Sequence, residues 1–278
     1  MTRFVGTDTY ILDPELARVV DVAMRLELPL LLKGEPGTGK TLLAHAISES
    51  LGMPLMRLNV KSSMKAVDAL YQYDTLTRLN DSRFGDSTRD VSSIHDYLRM
   101  ATIGKAFTAD ERCVLLIDEI DKADGDFQDD LLDVLDQMSF DILEVDETIR
   151  AKHRPVIIIT SNAKKDLSDP FLGRCVFHHI AFPEPELMGD IITAHYPDLS
   201  ARLVTATSEA FYRLRAIDGV EKKPATRELL HWVRALATEP GFDASLLRDD
   251  RRMPFLGLLF KKSEDLLRAR RSLRQASR

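Results

Sequence analysis

Short apolar runs alternate with segments of helical periodicity up to about residue 183. Residues 28–33, Leu-Pro-Leu-Leu-Leu-Lys, form an apolar run that ends in a glycine-rich loop, a pattern typical of a buried parallel strand. Residues 41–47 place apolar side chains at helical intervals, and Gly52 predicts the end of that helix. Further strands are predicted at 54–60, 113–117, 155–160 and 176–182. Strands that alternate with helices predict a parallel sheet between two layers of helices.

The second part of the chain has helical periodicity only. Residues 182–185, Phe-Pro-Glu-Pro, have the composition of a linker. Helices are predicted after this linker at 187–194, 203–217, 226–237 and 255–273, and before it at 95–107 and 127–138. We therefore predict an α/β domain over residues 1–183, followed by a small all-helical domain over residues 184–278.

Two inserts interrupt the predicted α/β domain. The first, near 61–90, is polar and contains scattered aromatic residues. The second, near 139–152, has apolar residues that roughly alternate, with acids in the middle, and this pattern indicates a β-hairpin. From the residues alone, each insert is equally compatible with an ordinary surface loop.

Composition and charge limit the classes of function. The 278 residues are 44% hydrophobic and 29% charged, as in an ordinary globular protein, and the net charge of −6 argues against a surface built for nucleic acid. No apolar run approaches the roughly 20 residues that span a bilayer. The two cysteines form no disulfide framework, so we expect a cytoplasmic protein. The basic end, from Lys261 onward, is compatible with a docking segment, a partner-binding segment or a disordered tail.

A phosphate-binding loop is predicted at Gly34-Glu35-Pro36-Gly37-Thr38-Gly39-Lys40-Thr41, which has the spacing G-x-x-x-x-G-K-T. The glycines allow backbone N–H groups to approach phosphates, and the helix that follows points its positive end at the same anions. Lys40 is expected to reach the β- and γ-phosphates, and Thr41 to offer its hydroxyl to Mg²⁺. Leu42, in the first helical turn, completes the segment. These features predict binding of Mg·ATP.

Two carboxylates end the predicted strand at 113–117. Ligands of open α/β sheets lie at the carboxyl ends of the strands, where Asp118 and Glu119 are placed. Asp118 is expected to hold Mg²⁺ through water, and Glu119 to polarise the attacking water as a general base. Downstream of a phosphate loop, this pair predicts ATP hydrolysis. Asn162 ends the next strand, where it either orients the attacking water or simply forms a turn.

These motifs, at this spacing, resemble the AAA+ ATPase superfamily over nearly the whole chain. Within it, the chain resembles the MoxR family, through residues 31–41 (LLKGEPGTGKT), 115–123 (LLIDEIDKA) and 169–177 (DPFLGRCVF). The two inserts match those that mark this branch. The implied fold is a P-loop NTPase core with a helical lid.

The resemblance implies further site residues. Asn162 corresponds to the sensor 1 position. Arg174 corresponds to an arginine finger, which would act on the nucleotide of a neighbouring subunit; family members often carry a second Arg where this chain has Gly173. Arg227 corresponds to sensor 2 at the start of a lid helix, with Thr226 as the expected N-cap. By position alone, residues 10–12 are expected beside the adenine.

The resemblance also implies partners. A finger that acts between subunits implies a homo-oligomeric ring, most simply a hexamer. MoxR-type ATPases act as chaperone-like motors with a von Willebrand factor A domain protein and help to mature an enzyme, often a metalloenzyme. One similar subgroup accompanies molybdenum-containing carbon monoxide dehydrogenase. The alternative function is a motor on nucleic acid, of the helicase-loader or restriction-translocase type, against which the acidic hairpin and the net charge count.

Overall fold

The computed structural model describes residues 4, 6–8, 10–85, 89–162, 167–249 and 253–276. The strands are β1 (Leu30–Gly34), β2 (Leu55–Asn59), β3 (Tyr71–Tyr73), β4 (Leu98–Met100), β5 (Val114–Asp118), β6 (Ser139–Ile142), β7 (Glu147–Arg150), β8 (Val156–Ser161) and β9 (Val176–Ile180). The helices are α1 (Pro14–Leu26), α2 (Lys40–Leu51), α3 (Ala66–Leu70), α4 (Thr75–Phe84), α5 (Thr102–Thr108), α6 (Gly125–Gln137), α7 (Asp169–Gly173), α8 (Pro185–His195), α9 (Ala201–Arg215), α10 (Thr226–Thr238), α11 (Leu256–Leu259) and α12 (Ser263–Ala276). Short 3-10 helices lie at Ile94–Tyr97, Ile120–Lys122 and Ala244–Arg248.

The central sheet has five strands in the order β2-β5-β8-β1-β9, and all neighbouring pairs are parallel. Every residue of β5 and β8 is buried, because helices cover both faces of the sheet. This burial explains why both strands appear in the sequence as continuous apolar runs. The predicted α/β fold with a parallel sheet between helices, followed by C-terminal helices, is confirmed.

Several helices begin at a residue whose side chain caps the first turn. The side chain of Asp13 accepts hydrogen bonds from the backbone N–H groups of Glu15 and Leu16, and Pro14 opens α1 with its fixed φ. Asp124 caps α6 in the same way, and Ser200 caps α9. The buried residues of α6 pack in the core of the larger unit, and those of α9 pack in the core of the smaller unit.

Two predicted helices are wrong in detail. Residues 95–107 contain a 3-10 helix, the strand β4 and the helix α5, because short apolar runs have no unambiguous period. The predicted helix 255–273 is interrupted at Phe260, which separates α11 from α12.

The inserts have defined structure. The first contains α3, β3 and α4, and β3 pairs with β4 in an antiparallel ribbon, so it is more than a surface loop; its residues 86–88 lie outside the described residues. The second is the antiparallel hairpin β6–β7 that the alternation predicted.

The chain divides into two compact units. The larger contains residues 1–6, 12–34 and 39–180, and the smaller contains 7–11, 35–38 and 181–278. The smaller unit has its own apolar core around Trp232, Phe211 and Leu229. None of the helices in the described ranges is long and apolar enough to cross a membrane.

The basic end of the chain is helical over α12. Asp265, Ala269 and Leu273, spaced at i, i+4 and i+8, are its buried positions. The buried carboxylate of Asp265 accepts hydrogen bonds from the backbone N–H groups of Glu221 and Lys222 at 2.9 and 3.1 Å. These bonds lower the pKa of Asp265 from its ordinary value. Of the three alternatives for this segment, a disordered tail is excluded for residues 263–276.

Candidate active site

The phosphate loop leaves β1 and enters α2. Gly37 and Gly39 have φ angles of 84° and 92°, a conformation that side chains disfavour, which is why glycine is needed at both positions. Lys40 is 6% exposed, and its Nζ donates a hydrogen bond to the Gly34 carbonyl at 2.8 Å, across the concave side of the loop. The Thr38 hydroxyl donates to the Glu35 carbonyl at 3.0 Å. Lys40 is thus held within the loop that it was predicted to serve, whereas Leu42 is 54% exposed.

The strand order brings the other predicted residues to this loop. The strands β1, β8 and β5 are neighbours, so the loop, Asn162 and the two carboxylates all follow the carboxyl ends of adjacent parallel strands. The Thr41 hydroxyl donates a hydrogen bond to Oδ1 of Asp118 at 3.1 Å. A hydroxyl and a carboxylate in contact are the oxygen donors that Mg²⁺ prefers.

Asp118 is 5% exposed and has two further partners. The hydroxyl of Thr160, on β8, donates to Oδ1 at 2.6 Å, and the guanidinium of Arg57, on β2, donates to Oδ2 at 2.5 Å. Residues on both strands that neighbour β5, namely β8 and β2, therefore bind this carboxylate. Such charge-assisted bonds fix the orientation of a side chain.

Glu119 turns the chain out of the sheet. Its backbone is left-handed, with φ 61° and ψ 51°, a conformation that costs about 1–3 kcal/mol for a residue with a side chain. Its N–H donates to the Thr160 hydroxyl oxygen at 2.9 Å, which holds this turn. One threonine therefore contacts both acidic residues.

Both carboxylate oxygens of Glu119 have partners. The Asn162 side-chain amide donates to Oε1 at 2.9 Å, and Lys122 forms an ion pair with Oε2. The hydrogen bond to Glu119 raises the pKa of Lys122 from its ordinary value. The backbone N–H of Asn162 donates to Oδ1 of the buried Asp121 at 3.1 Å, so both acids of this turn anchor Asn162. The structure thus brings Asn162 and Glu119 together.

Arg174 lies at the end of α7, beside α6. Its Nε forms an ion pair with Asp136, and its Nη1 donates to the Pro170 carbonyl at 3.1 Å. Its side chain is 43% exposed. Within one chain, Arg174 therefore binds the C-terminal part of α6, and its remaining surface is open to solvent.

The four loop residues 35–38 belong to the smaller unit. Glu35 forms an ion pair with Arg215, whose guanidinium also lies 3.6 Å from the centre of the Phe182 ring. Arg215 also donates to the Pro224 carbonyl at 2.6 Å. A Cβ on Gly37 would lie 2.5 Å from the Cβ of Ala225, so the loop approaches the start of α10 closely.

Two further expectations concern the start of α10 and residues 10–12. The N-cap of α10 is Ala225, not Thr226, and Glu228 accepts a hydrogen bond from the Ala225 N–H at 3.2 Å. Thr226 is instead the first helical residue, because this bond satisfies the cap. The Arg227 side chain is exposed in the second position of α10. Tyr10 bonds to Thr7 through the backbone, and burial raises the pKa of its phenol.

The donors suit Mg·ATP. The glycine loop offers backbone N–H groups at the N-terminus of α2, Lys40 supplies a cation, and Thr41 with Asp118 supplies oxygen ligands. The residues present therefore fit a nucleoside triphosphate with its magnesium ion.

The sequence reasoning missed four polar residues that contact this site. Thr160 and Arg57 contact Asp118, Lys122 contacts Glu119, and Arg215 contacts Glu35. A charged residue inside the second strand was a signal for Arg57. Thr160 lies two residues before Asn162, on the same face of its strand, and this periodicity could have identified it.

Comparison with known proteins decides the family. The model of the ATPase family associated with various cellular activities (AAA) matches residues 30–183. The chain belongs to this family. The matched residues form an ATPase domain of this family.

The curated relatives of this AAA chain are distant. The 26S proteasome regulatory subunit 10B of Dictyostelium discoideum is 29% identical over 204 residues, which cover 67% of this chain and 42% of that protein. The 26S proteasome subunit RPT4 of Saccharomyces cerevisiae is 27% identical over 241 residues, which cover 80% and 44%. The chain thus spans less than half the length of these relatives. Among solved structures, a Thermotoga maritima RuvB variant has 17% identity and a TM-score of 0.46, with 93% of this chain and 67% of that chain covered.

Proposed function

We propose that this AAA domain is a chaperone-like remodelling motor of the MoxR type. It would act with a von Willebrand factor A domain protein to mature or activate a client enzyme, for example a metalloenzyme such as a molybdenum-containing carbon monoxide dehydrogenase. The observation that carries the proposal is the pair of inserts in the AAA core, which follow β2 and precede β8 as in the MoxR branch. The curated relatives are named as proteasome subunits, so the client of this chain is a separate question.

Contacts between the two inserts support a common movement. The ring of Tyr71, in the first insert, stacks on Phe140 of the hairpin with centroids 6.2 Å apart. The hydroxyl oxygen of Tyr71 accepts a hydrogen bond from the Leu143 N–H at 3.3 Å. At the hairpin tip, the Leu143 side chain is 83% exposed. We propose that the inserts transmit the ATP cycle to the client through this apolar tip.

Within the site, we assign roles to the chain's own residues. Glu119 takes the proton of the attacking water, and Asn162 orients Glu119 through the hydrogen bond from its side-chain amide. Lys40 and the loop N–H groups bind the phosphates, while Thr41 and Asp118 would hold Mg²⁺. When bound, that ion neutralises charge on the transferring phosphoryl group. Residues 184–278 would serve as the lid, with Arg227 as sensor 2, and residues 10–12 would contact the adenine.

The active assembly would be a homo-oligomeric ring, as is typical of AAA ATPases, and we propose a hexamer. Arg174 would reach the nucleotide of the neighbouring subunit and stabilise the transition state. Its exposed position at the end of α7 supports this role. Two free cysteines, one of them buried, support a location in the reducing cytoplasm.

Subunit mixing tests the shared site. Lys40→Ala should abolish nucleotide binding and Arg174→Ala should abolish turnover while nucleotide still binds. An equimolar mixture should regain turnover, because an Arg174→Ala subunit then receives a finger from its Lys40→Ala neighbour. Arg25→Ala, an exposed arginine on α1, is the matched control and should keep full activity. Full turnover by Arg174→Ala alone would remove Arg174 as the finger.

A second experiment tests the client class. We expect a von Willebrand factor A protein and a metalloenzyme to be encoded beside this chain, and both should co-purify with it in ATP. Leu143→Ser should weaken client activation and leave basal ATPase activity intact. Stimulation of the ATPase by DNA or RNA, with no effect of the client, would instead support the nucleic-acid motor.

A further inference from the structure

One side of α6 carries only acidic charges. Asp126, Asp129, Asp130 and Asp133 are exposed on the side opposite the buried Phe127, and we call these four residues the aspartate face. Like charges at i and i+4 repel, as in the pair Asp129 and Asp133. Asp133 also lies toward the negative end of the helix dipole. Helix stability therefore explains Asp126, in the first turn, but not Asp129, Asp130 and Asp133.

The outer side of α12 carries mainly basic charges, with the exposed acid Glu264 in its first turn. Arg270, Arg271 and Arg274 are exposed around Leu267, which is 51% exposed, and we call these four residues the arginine face. Its buried side, around Ala269 and Leu273, already packs on the core of the smaller unit. Over the described residues, no ion pair joins Arg271 or Arg274 to an acid, and none joins Asp130 or Asp133 to a base.

We propose that the arginine face of α12 in one copy of this chain docks on the aspartate face of α6 in a neighbouring copy. Both faces lie on α-helices, and each places its charges one turn apart. Two charged side chains of the arginine face can therefore contact two of the aspartate face with the same spacing. Leu267 supplies an apolar contact within the charged patch. Electrostatic complementarity of this kind speeds association and selects the partner.

The position of Arg174 supports a second copy of the chain as the occupant. Asp136, at the end of α6, forms the ion pair with Arg174, and Asp129 accepts a hydrogen bond from the Ser168 hydroxyl at 3.2 Å. The aspartate face therefore lies on the same side of the larger unit as the proposed finger. This inference rests on the proposed assembly, in which that side meets a neighbour. Nucleic acid could bind the arginine face, but the aspartate face would repel it.

Charge reversal tests the proposal. The acid-reversed protein carries Asp130→Arg and Asp133→Arg, and the arginine-reversed protein carries Arg271→Glu and Arg274→Glu. Sedimentation velocity with Mg·ATP should show self-association about tenfold weaker or worse for each alone. Their equimolar mixture should assemble again, because alternating copies then pair opposite charges at every interface. Arg18→Glu with Arg25→Glu, exposed on α1, gives the same charge change and should assemble like the wild type.

Each alternative outcome is distinct. Normal assembly of both reversed proteins would overturn the inference and leave the proposed ring intact. A wild type that stays monomeric with ATP would overturn the proposed assembly itself.

Other outcomes would assign the two faces differently. Recovery of self-association only when all four substitutions are in one chain would show a contact within the chain. If DNA stimulates the ATPase, and only the arginine-reversed protein loses that response, the face serves nucleic acid. Arg271→Gln with Arg274→Gln should weaken self-association less than the charge reversal does. This variant replaces the arginine-reversed protein if that protein does not fold.

Discussion

Asn162 donates its side-chain amide to Oε1 of Glu119 across 2.9 Å. The other oxygen of this carboxylate is paired with Lys122, so Glu119 is held from two sides, by an uncharged donor and by a cation. The side-chain amide of Asn162 does not ionise at neutral pH. Its hydrogen bond to Glu119 therefore does not depend on its own protonation state. The orientation of the proposed base thus depends on Asn162, and its charge is balanced by Lys122.

Asn162→Ala should slow ATP turnover about tenfold to a hundredfold while ATP still binds, because the carboxylate loses one of its two restraints. Steady-state phosphate release and binding of a fluorescent nucleotide measure the two quantities. Asn80→Ala, an exposed asparagine on α4, is the control and should behave as the wild type. Unchanged turnover would show that Asn162 only forms the turn after β8.

Glu119→Gln should keep ATP binding and lower turnover about 10²- to 10⁴-fold, since the amide accepts no proton from the attacking water. Single-turnover hydrolysis separates this loss from product release. Glu49→Gln, exposed on α2, provides the same change of charge away from the site and should have no effect. A Glu119→Gln protein with wild-type turnover would remove Glu119 as the general base.

Thr160→Val should destabilise the protein and impair the site together. Thr160 is 1% exposed, and its hydroxyl joins Asp118 to the Glu119 backbone. Valine keeps the shape, removes one of the three hydrogen bonds to the buried Asp118 and leaves the Glu119 N–H without this partner, which should lower the free energy of unfolding by about 1–3 kcal/mol. Urea denaturation followed by circular dichroism measures this loss, and turnover should fall with it.

Two substitutions bound the interpretation of Thr160. Thr160→Ser retains a hydroxyl and should recover most of the turnover. Thr193→Val removes a hydroxyl that bonds to a helix carbonyl on the surface, and it should change stability little. Equal effects of valine and serine at position 160 would assign the role of Thr160 to packing rather than to its hydrogen bonds.

Local patterns in the sequence predict the parts of the site that depend on spacing along the chain. Examples are the glycines of the phosphate loop and the apolar runs before Asp118 and Asn162. A strand and the residues that follow it can be predicted from neighbouring positions in the sequence. Thr160 and Arg57 are different. Their contacts with Asp118 follow from the strand order β2-β5-β8, which brings distant segments together and which periodicity does not specify.

Short segments were the other source of error. Residues 98–100 form a strand only because β3 pairs with them, and the sequence between 95 and 107 has no signal for that partner. The acids of α6 are visible in the sequence, but a partner for them is not. Which charges share one face became clear from the observed helix and its buried side.

Gly37→Ala should abolish nucleotide binding without unfolding the chain. The residue has a φ of 84°, which alanine disfavours, and the added Cβ would lie 2.5 Å from the Cβ of Ala225. The disfavoured φ and the contact with Ala225 should displace the loop, and with it the N–H groups that are expected to hold the phosphates. Fluorescent nucleotide binding measures the loss. Gly257→Ala, where a Cβ meets open space, is the control. A Gly37→Ala protein that binds ATP with wild-type affinity would show that the loop tolerates a side chain and that its close approach to Ala225 is not required.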